Sequence, residues 1–199
     1  MIRQTEQELR DMRELCREYG SYLFLLRPGE PSGDAVLYSL FLVERYNKDN
    51  SKPRSERSYR PGGIYFPKVK PLWEKYQDAA ACSYSNFQIM FPTASELGFE
   101  GTPQELDHDK VAIVWVVELL KRRVIWMARK TRGFAPVESI YDGYNSGNPN
   151  DKRIPEAYIR KGLVCYQLAQ RALNAVRPAP EAVVAGQPVV SLPKKYRKK

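Results

Sequence analysis

Apolar side chains recur at intervals of three and four residues along most of the chain, which is the period of an α-helix. A first helix is predicted over residues 5–19, and its apolar positions are Leu9, Met12, Leu15 and Cys16. A second helix is predicted after Asp34, a candidate N-cap. This helix is apolar on nearly every side, so we expect it to be central and buried, with Glu44 at its C-terminal end.

The rest of the pattern is also mostly helical, and helices are predicted over residues 72–81, 92–97, 109–127 and 155–176, with a helix start at Thr102. Residues 48–71 are polar and broken by proline and glycine, which favours a long loop or an irregular lobe. A Gly- and Asn-containing loop is expected over residues 141–150. We expect β structure only as a short hairpin near residues 63–66, so the predicted fold class is mostly α.

The length of the chain suits one ordinary domain with its own hydrophobic core. We expect an N-terminal helical extension over residues 1–33 and a single domain over residues 34–176. Residues 177–199 contain Pro, Ala and Val without a helical period and end in a basic cluster, which predicts an extended tail. No apolar run in the sequence approaches the roughly 20 residues that a membrane-spanning helix needs.

Charge restricts the class of partner. Lysine and arginine total 32 against 23 acidic residues, which gives a net charge of +9. A basic surface suits nucleic acid, an anionic membrane or an anionic polymer such as the cell wall, and charge alone does not choose among them.

Cysteine and histidine usage gives no sign of a metal site. The three cysteines, Cys16, Cys82 and Cys165, are widely spaced and odd in number, so we expect reduced, partly buried thiols. The single histidine, His108, lies between two aspartates and is expected at a helix start on the surface. We therefore expect neither a metal nor another cofactor.

Candidate chemistry lies in three short segments, residues 42–44, 83–94 and 143–147. Their order and spacing resemble the catalytic domain of lytic transglycosylases related to goose-type lysozyme. In that family a Glu-Ser ends a helix, a Gly-Leu-Met-Gln-Ile-Met-Pro-x-Thr-Ala segment follows, and Ala-Tyr-Asn-Ala-Gly comes third. The resemblance covers residues 34–168, about two-thirds of the chain, and its agreements are Gln88-Ile89-Met90, Thr93-Ala94, and Tyr144-Asn145 with Gly147.

The chain departs from the family at a few positions. Arg45 stands where the family has Ser, and Ser85-Asn86-Phe87 stands where it has Gly-Leu-Met. The first two segments are also further apart than in the commonest members, which indicates an insertion that contains Glu56. Because some relatives carry a second glutamate shortly after the first, we interpret Glu56 as its counterpart.

The resemblance implies a lysozyme-like fold and cleavage of the MurNAc-GlcNAc β-1,4-glycosidic bond of bacterial peptidoglycan. Glu44 would act as the general acid and then as the base, leaving a 1,6-anhydro-MurNAc end. Glu56 would support this reaction, and Tyr144 would pack on the sugar and hydrogen-bond near the carboxyl. The substrate-binding residues implied are Ser85, Phe87, Gln88, Tyr144 and Asn145. Hydrolysis, as in a lysozyme, is the alternative reaction.

Chemical reasoning supports Glu44 without the family. Breaking a glycosidic bond requires a proton on the leaving oxygen. A carboxyl that follows an apolar helix, in a cleft walled by aromatic side chains, would stay protonated near neutrality. A lysozyme usually adds a second carboxylate, whereas a transglycosylase uses the 6-hydroxyl of the sugar and needs only one.

The expected partner is the peptidoglycan glycan strand, bound by a monomer, with peripheral contact to an anionic wall or membrane; nucleic acid is disfavoured. The first residues lack the layout of a secretory signal. We therefore expect synthesis in the cytoplasm and action in the periplasm or at the wall, after release at lysis or as part of a virion. Bacteriophage lysis enzymes and virion-carried enzymes both fit this pattern.

Each candidate also has a plainer interpretation. Glu44 is alternatively the first solvated residue after a core helix, Tyr144-Asn145 an ordinary turn, and Glu56 a surface charge among arginines. For the whole chain, the alternative is a basic protein that binds nucleic acid or the wall without catalysis. That alternative explains the basic C-terminus but not three ordered segments. A relative that binds glycan without cutting it is a third interpretation, suggested by Arg45.

Overall fold

A computed structural model describes residues 5–23, 30–45, 53–146 and 156–175. The helices are α1 Glu6–Gly20, α2 Gly33–Arg45, α3 Phe66–Tyr76, α4 Phe91–Leu97, α5 Pro103–Leu106, α6 Asp109–Leu119, α7 Trp126–Arg132, α8 Val137–Ser146 and α9 Glu156–Asn174. The strands are β1 Arg54–Ser55, β2 Cys82–Tyr84 and β3 Ile89–Met90. The prediction of a mostly α fold is therefore confirmed for the described residues.

Helix α2 lies at the centre of the described fold. Eight of its 13 residues are buried, and it packs against both α1 and α9. This confirms the prediction of a central, buried helix. Asp34 is not its N-cap, since the helix begins at Gly33 and the Asp34 carboxylate accepts from the Ala35 N–H within the first turn at 2.9 Å.

The packing of α1 on α2 depends on two glycines. A Cβ on Gly20 would lie 2.3 Å from the backbone nitrogen of Asp34, and a Cβ on Gly33 would lie 2.3 Å from the carbonyl oxygen of Gly20. Only glycine allows the two backbones to approach this closely. The N-terminus of α1 is closed by a capping box between Thr5 and Glu8.

The sheet is antiparallel in the order β1-β2-β3, with Arg54 opposite Ser83 and Ser83 opposite Met90. The prediction of a hairpin near residues 63–66 is therefore wrong, because that segment turns and leads into α3.

Helix α3 begins inside the segment that we expected to be a loop. It ends before residue 81, the expected end, and a short 3₁₀ helix, Gln77–Ala81, follows it. Pro67 lies in the first turn of α3, where a backbone N–H has no acceptor within the helix, so proline costs no hydrogen bond there.

One tight turn, residues 85–88, joins β2 to β3 and has left-handed backbone at both ends. Ser85 has φ 64° and Gln88 has φ 52°. The carboxylates of Asp107 and Asp109 accept from the N–H groups of Ser85 and Asn86, each at 2.9 Å. Asp107, just before α6, and Asp109, the first residue of α6, therefore hold the turn that carries the second motif.

Helical structure continues without a break from α6 through a π-helical segment, Leu120–Ile125, into α7. The expected helix over residues 109–127 is confirmed at its start, and it runs to Arg132 rather than to Met127. The capped start at Thr102, the short helix before it and the long C-terminal helix are also confirmed. His108 is the exposed N-cap residue of α6.

Helix α8 replaces the loop expected over residues 141–150, and residues 147–150 lie outside the described part. The glycine and asparagine content suggested a loop, but Ile140 and Tyr141 pack into the core and hold the segment helical. A Cβ on Gly162 of α9 would lie 2.5 Å from the Tyr141 ring, so α9 approaches α8 closely at this point.

The expected tail over residues 177–199 lies outside the described residues. None of the described helices is both long and apolar enough to cross a membrane. Cys16, Cys82 and Cys165 are buried and unpaired with one another.

Candidate active site

A cleft of about 800 Å³ opens between the C-terminal end of α2, the sheet, the start of α3 and the end of α8. Five of the residues expected at the site line this cleft: Glu44, Glu56, Gln88, Tyr144 and Asn145. They come from segments up to about 100 residues apart in sequence, so the fold brings all three motifs to one cavity.

Glu44 occupies the last turn of α2 and is partly buried. Its Oε1 accepts a hydrogen bond of 2.7 Å from the hydroxyl of Tyr158 on α9. The ammonium of Lys161, also on α9, donates to the carbonyl oxygen of Val43. A cation at this end of a helix compensates the partial negative charge of the carbonyl groups there. Helix α9 therefore fixes both the carboxyl and the helix end that presents it.

Tyr158 keeps its proton at neutral pH. Its pKa lies well above the ordinary value, first because the ring is buried and second because the Glu44 carboxylate is close. The side chain of Asn145 hydrogen-bonds the same hydroxyl and partly opposes this shift of the pKa. Asn145 and Glu44 thus act in opposite directions on the pKa of the one hydroxyl that donates to Glu44.

Tyr144 contacts the site differently from the expectation. Its hydroxyl donates to the carbonyl oxygen of Phe87 at 2.7 Å, so the hydrogen bond to the Glu44 carboxyl comes from Tyr158 instead. Burial and, after it, the charge of Glu44 raise the pKa of Tyr144 well above its usual value. The neutral Tyr144 joins the second and third motifs.

Gln88 lines the cleft although only 6% of it is exposed. Its Oε1 accepts from the Ser83 hydroxyl at 2.9 Å, and its Nε2 donates to the Ser85 carbonyl oxygen at 2.9 Å. The amide is therefore held in one orientation by β2 and by the turn that follows it.

Ser85 and Phe87 were expected to bind substrate, but they do not line the cleft. Phe87 is fully buried and packs against Phe41 of α2 with 6.4 Å between ring centroids. The Ser85 hydroxyl accepts from the Phe87 N–H at 3.1 Å. The left-handed backbone at both ends of the turn directs these side chains inward, so they support the cleft from behind.

Glu56 lies in the cleft wall and pairs with Arg54, with 2.6 Å between Nε and Oε1. The sequence left open whether Glu56 supports the reaction or is a surface charge among arginines. The structure has features of both, because the carboxylate reaches the cleft and also has an arginine partner. Both side chains are about one-third exposed, so solvent screens the pair.

Arg45, which stands where the family has Ser, belongs to a network outside the cleft lining. Its guanidinium donates to the Asn86 side-chain oxygen at 2.8 Å, and the Asn86 amide donates to Asp109 at 2.6 Å. Burial raises the pKa of Asp109, and the hydrogen bonds from Asn86 oppose that rise. Arg45 therefore ties the end of α2 to the turn of the second motif.

Sequence reasoning missed Tyr158, which belongs to none of the three segments. The signal was present in the periodicity of α9, whose buried residues Gly162, Cys165, Ala169 and Leu173 mark one face. Tyr158 lies four residues before Gly162 on that face. The periodicity predicts that this face is buried, but it does not predict which element the face contacts. Among the described residues, no cluster of three His, Cys, Asp or Glu could hold a metal ion.

No protein-family model matches the chain, and no curated protein or solved structure is significantly similar to it. The function is therefore inferred from the motifs and from the geometry of the cleft.

Proposed function

We propose that the chain cleaves the MurNAc-GlcNAc β-1,4-glycosidic bond of bacterial peptidoglycan as a lytic transglycosylase. In this proposal the domain is lysozyme-like, with Glu44 as general acid and then general base. The observation that carries it is the Glu44 carboxyl itself: it ends a buried helix, accepts from Tyr158 at 2.7 Å, and shares one cleft with Gln88, Tyr144 and Asn145.

The reaction needs one carboxyl group. The Glu44 carboxyl gives its proton to the glycosidic oxygen as the bond from that oxygen to C1 of MurNAc breaks. The resulting carboxylate then removes the proton of the MurNAc 6-hydroxyl, whose oxygen bonds to C1 and closes the anhydro ring. The carboxyl ends protonated again, and no water is consumed.

The backbone of the second motif also supports the proposal. The family resemblance places glycine at the position of Ser85, and Ser85 has a φ of 64°, a left-handed value that glycine adopts without strain. The backbone shape that would explain a glycine in relatives is thus present here with a serine.

The rival function, binding of nucleic acid, is less compatible with this cleft. Three carboxylates, those of Glu44, Glu56 and Glu96, line it together with three basic side chains. The cleft therefore carries as many acidic as basic side chains, and it lacks the excess of lysine and arginine on which binding of nucleic acid relies.

The experiment is digestion of purified sacculi, with the products separated and identified by mass spectrometry. Wild type should release anhydro-muropeptides, and Glu44→Gln should lose at least about 100-fold in rate, because loss of a general acid typically costs 10²–10⁴-fold. Glu56→Gln is the matched variant within the cleft and should lose less, with anhydro ends still the main product.

Circular dichroism should show the same fold for both variants. Retention of more than about a tenth of the wild-type rate by Glu44→Gln would remove the assignment, since a general acid contributes far more than this. Reducing-end products, or equal loss in the two variants, would show a hydrolase with two carboxylates.

A further inference from the structure

One wall of the cleft is built by residues 58–69, which belong to the insertion between the first two motifs, and five of its residues line the cavity: Ser58, Tyr59, Tyr65, Lys68 and Val69. We call it the 58–69 wall. None of these residues has a role in the proton transfers assigned to Glu44. Their presence in the cleft therefore calls for a separate explanation.

The aromatic part of the wall is a pair of tyrosines. The rings of Tyr59 and Tyr65 lie 5.1 Å apart between centroids and are inclined by 38°. Tyr65 is 40% exposed, so a large apolar face remains open to the cleft. Burial raises the pKa of Tyr59, which keeps its hydroxyl neutral. An exposed aromatic face inside a cleft suits a ligand with an apolar face, such as a sugar ring.

The wall is held in position by its backbone. The N–H of Tyr65 donates to the carbonyl oxygen of Ser58 at 2.9 Å, and a Cβ on Gly63 would lie 2.3 Å from the same oxygen. Phe66 packs edge-on against Trp73 of α3, with 5.7 Å between centroids. The tyrosine pair is therefore presented by a tightly folded turn rather than by a loose loop.

The wall also carries a cation. Of the basic side chains in the cleft, Arg54 pairs with Glu56 at 2.6 Å and Arg123 pairs with Glu96 at 2.7 Å. Lys68 lies one position from Val69 on the same wall, and within the described part of the chain no carboxylate forms an ion pair with it. The Lys68 N–H donates to the carbonyl oxygen of Tyr65 at 3.1 Å, so the two residues are one helical turn apart, and both line the cleft. A cleft wall that carries both an ammonium and an aromatic face matches a sugar that carries a carboxylate.

We propose that the 58–69 wall is a specificity subsite for a carboxylate-bearing sugar, with the ring on Tyr59 and Tyr65 and the carboxylate at the Lys68 ammonium. This deepens, and rests on, the proposed function. In peptidoglycan the carboxylate comes either from the stem peptide or, where the peptide has been removed, from the lactyl group of MurNAc. The shared chemistry is an anionic substituent on a glycan, and chitin-type strands lack it.

The test measures binding by calorimetry to the full chain carrying Glu44→Gln, which leaves the ligands intact. Three tetrasaccharides are compared: GlcNAc-MurNAc with stem peptides, the same sugar without peptides, and chitotetraose without any carboxylate. Adding Lys68→Gln should weaken binding of a carboxylate-bearing ligand about threefold to tenfold and leave chitotetraose unchanged. Loss with the first ligand alone assigns the carboxylate to the peptide, and loss with the second alone assigns it to the lactyl group.

The matched control for charge is Lys70→Gln, an exposed lysine of α3 outside the cleft lining, which should change none of the three affinities. Added salt should reduce the contribution of Lys68, because this site is exposed to solvent. Equal weakening of all three ligands by Lys68→Gln, or no weakening of any, would overturn the inference.

The aromatic part is tested with Tyr65→Ala, which should weaken all three ligands on the order of tenfold, since the ring contacts sugar rather than charge. Tyr65→Phe should restore most of the affinity. Ile64→Ala, at a neighbouring residue that is 79% exposed and outside the cleft lining, should have no effect. Unchanged affinity in Tyr65→Ala contradicts the subsite.

Failure of the inference and failure of the proposed function give different results. If wild type leaves sacculi intact while binding depends on Lys68 as described, the transglycosylase is wrong and the subsite stands. If wild type cleaves sacculi and the Lys68→Gln substitution leaves all three affinities unchanged, the transglycosylase stands and the subsite is wrong.

Discussion

A carboxyl that releases and takes back a proton must keep one orientation through both steps, and Glu44 is oriented by residues outside its own motif. The Tyr158 hydroxyl donates to it, and Asn145 lies close enough to that hydroxyl to lower its pKa. A neutral phenol can supply this hydrogen bond over the whole physiological range, since burial raises the pKa of Tyr158. Tyr158 is thus a positioning residue for the proposed general acid.

We expect Tyr158→Phe to lower kcat on the order of tenfold with little change in KM, because the carboxyl would lose its orientation while the sugar contacts stay. Tyr166→Phe is the matched control on the same helix, where the hydroxyl accepts from the Ser32 N–H at 3.3 Å away from the cleft. Initial rates on soluble glycan strands, measured over a range of concentrations, separate the two constants. A rise in KM with unchanged kcat would mean that Tyr158 binds sugar instead.

Among the elements, the junction between α7 and α8 depends on one buried ion pair. Arg129 makes two hydrogen bonds to the Glu30 carboxylate, at 3.2 and 2.7 Å, and the Ala135 N–H donates to the same carboxylate at 2.8 Å. The side chains are only 18% and 2% exposed. The Glu30 carboxylate, which is distant in sequence, therefore holds the turn that begins α8. Tyr144 and Asn145 lie on that helix.

We expect Glu30→Gln to lower the free energy of unfolding by about 3 kcal/mol, because it leaves the Arg129 charge buried without its partner. Glu156→Gln removes the corresponding carboxylate from an Arg–Glu pair that is 73% and 77% exposed, and it should cost less than about 0.5 kcal/mol. Urea denaturation followed by circular dichroism measures both. Similar losses of unfolding free energy in the two variants would show that the buried pair stabilises the fold no more than the exposed pair does.

For the molecule as a whole, buried tyrosines tie stability to pH. Tyr84 and Tyr141 are 3% and 1% exposed, and burial raises the pKa of each above the ordinary value near 10. Above that value the unfolded chain releases protons that the folded chain keeps. The folded state then binds more protons, so the free energy of unfolding must fall as the pH rises.

We expect the urea midpoint to decrease above about pH 10, with each such tyrosine contributing roughly 1.4 kcal/mol per pH unit. Tyr141→Phe should be less stable near neutrality, because it loses a 2.6 Å hydrogen bond to Ser39, yet should show a shallower decline at high pH. Unfolding curves measured between about pH 8 and pH 11.5 give both slopes. Equal slopes in wild type and variant would contradict this origin of the alkaline decline.

The sequence by itself determined the elements whose side-chain pattern is complete within one segment. Helix α2 is apolar on nearly every side, and the capped starts at Thr5 and Thr102 satisfy their own N–H groups, so each could be recognised without knowledge of its neighbours. The position of Glu44 at the end of α2 follows from the same local pattern.

Only the tertiary structure decided the features that depend on distant contacts. The three strands have two or three residues each and are defined by pairing across Ser83, so they have no period long enough to recognise. Helix α8 overrides its glycine and asparagine content because its apolar face is buried. The partner of Glu44 could not be predicted, since a hydrogen bond to Tyr158 spans 114 residues and exists only once α9 packs against α2.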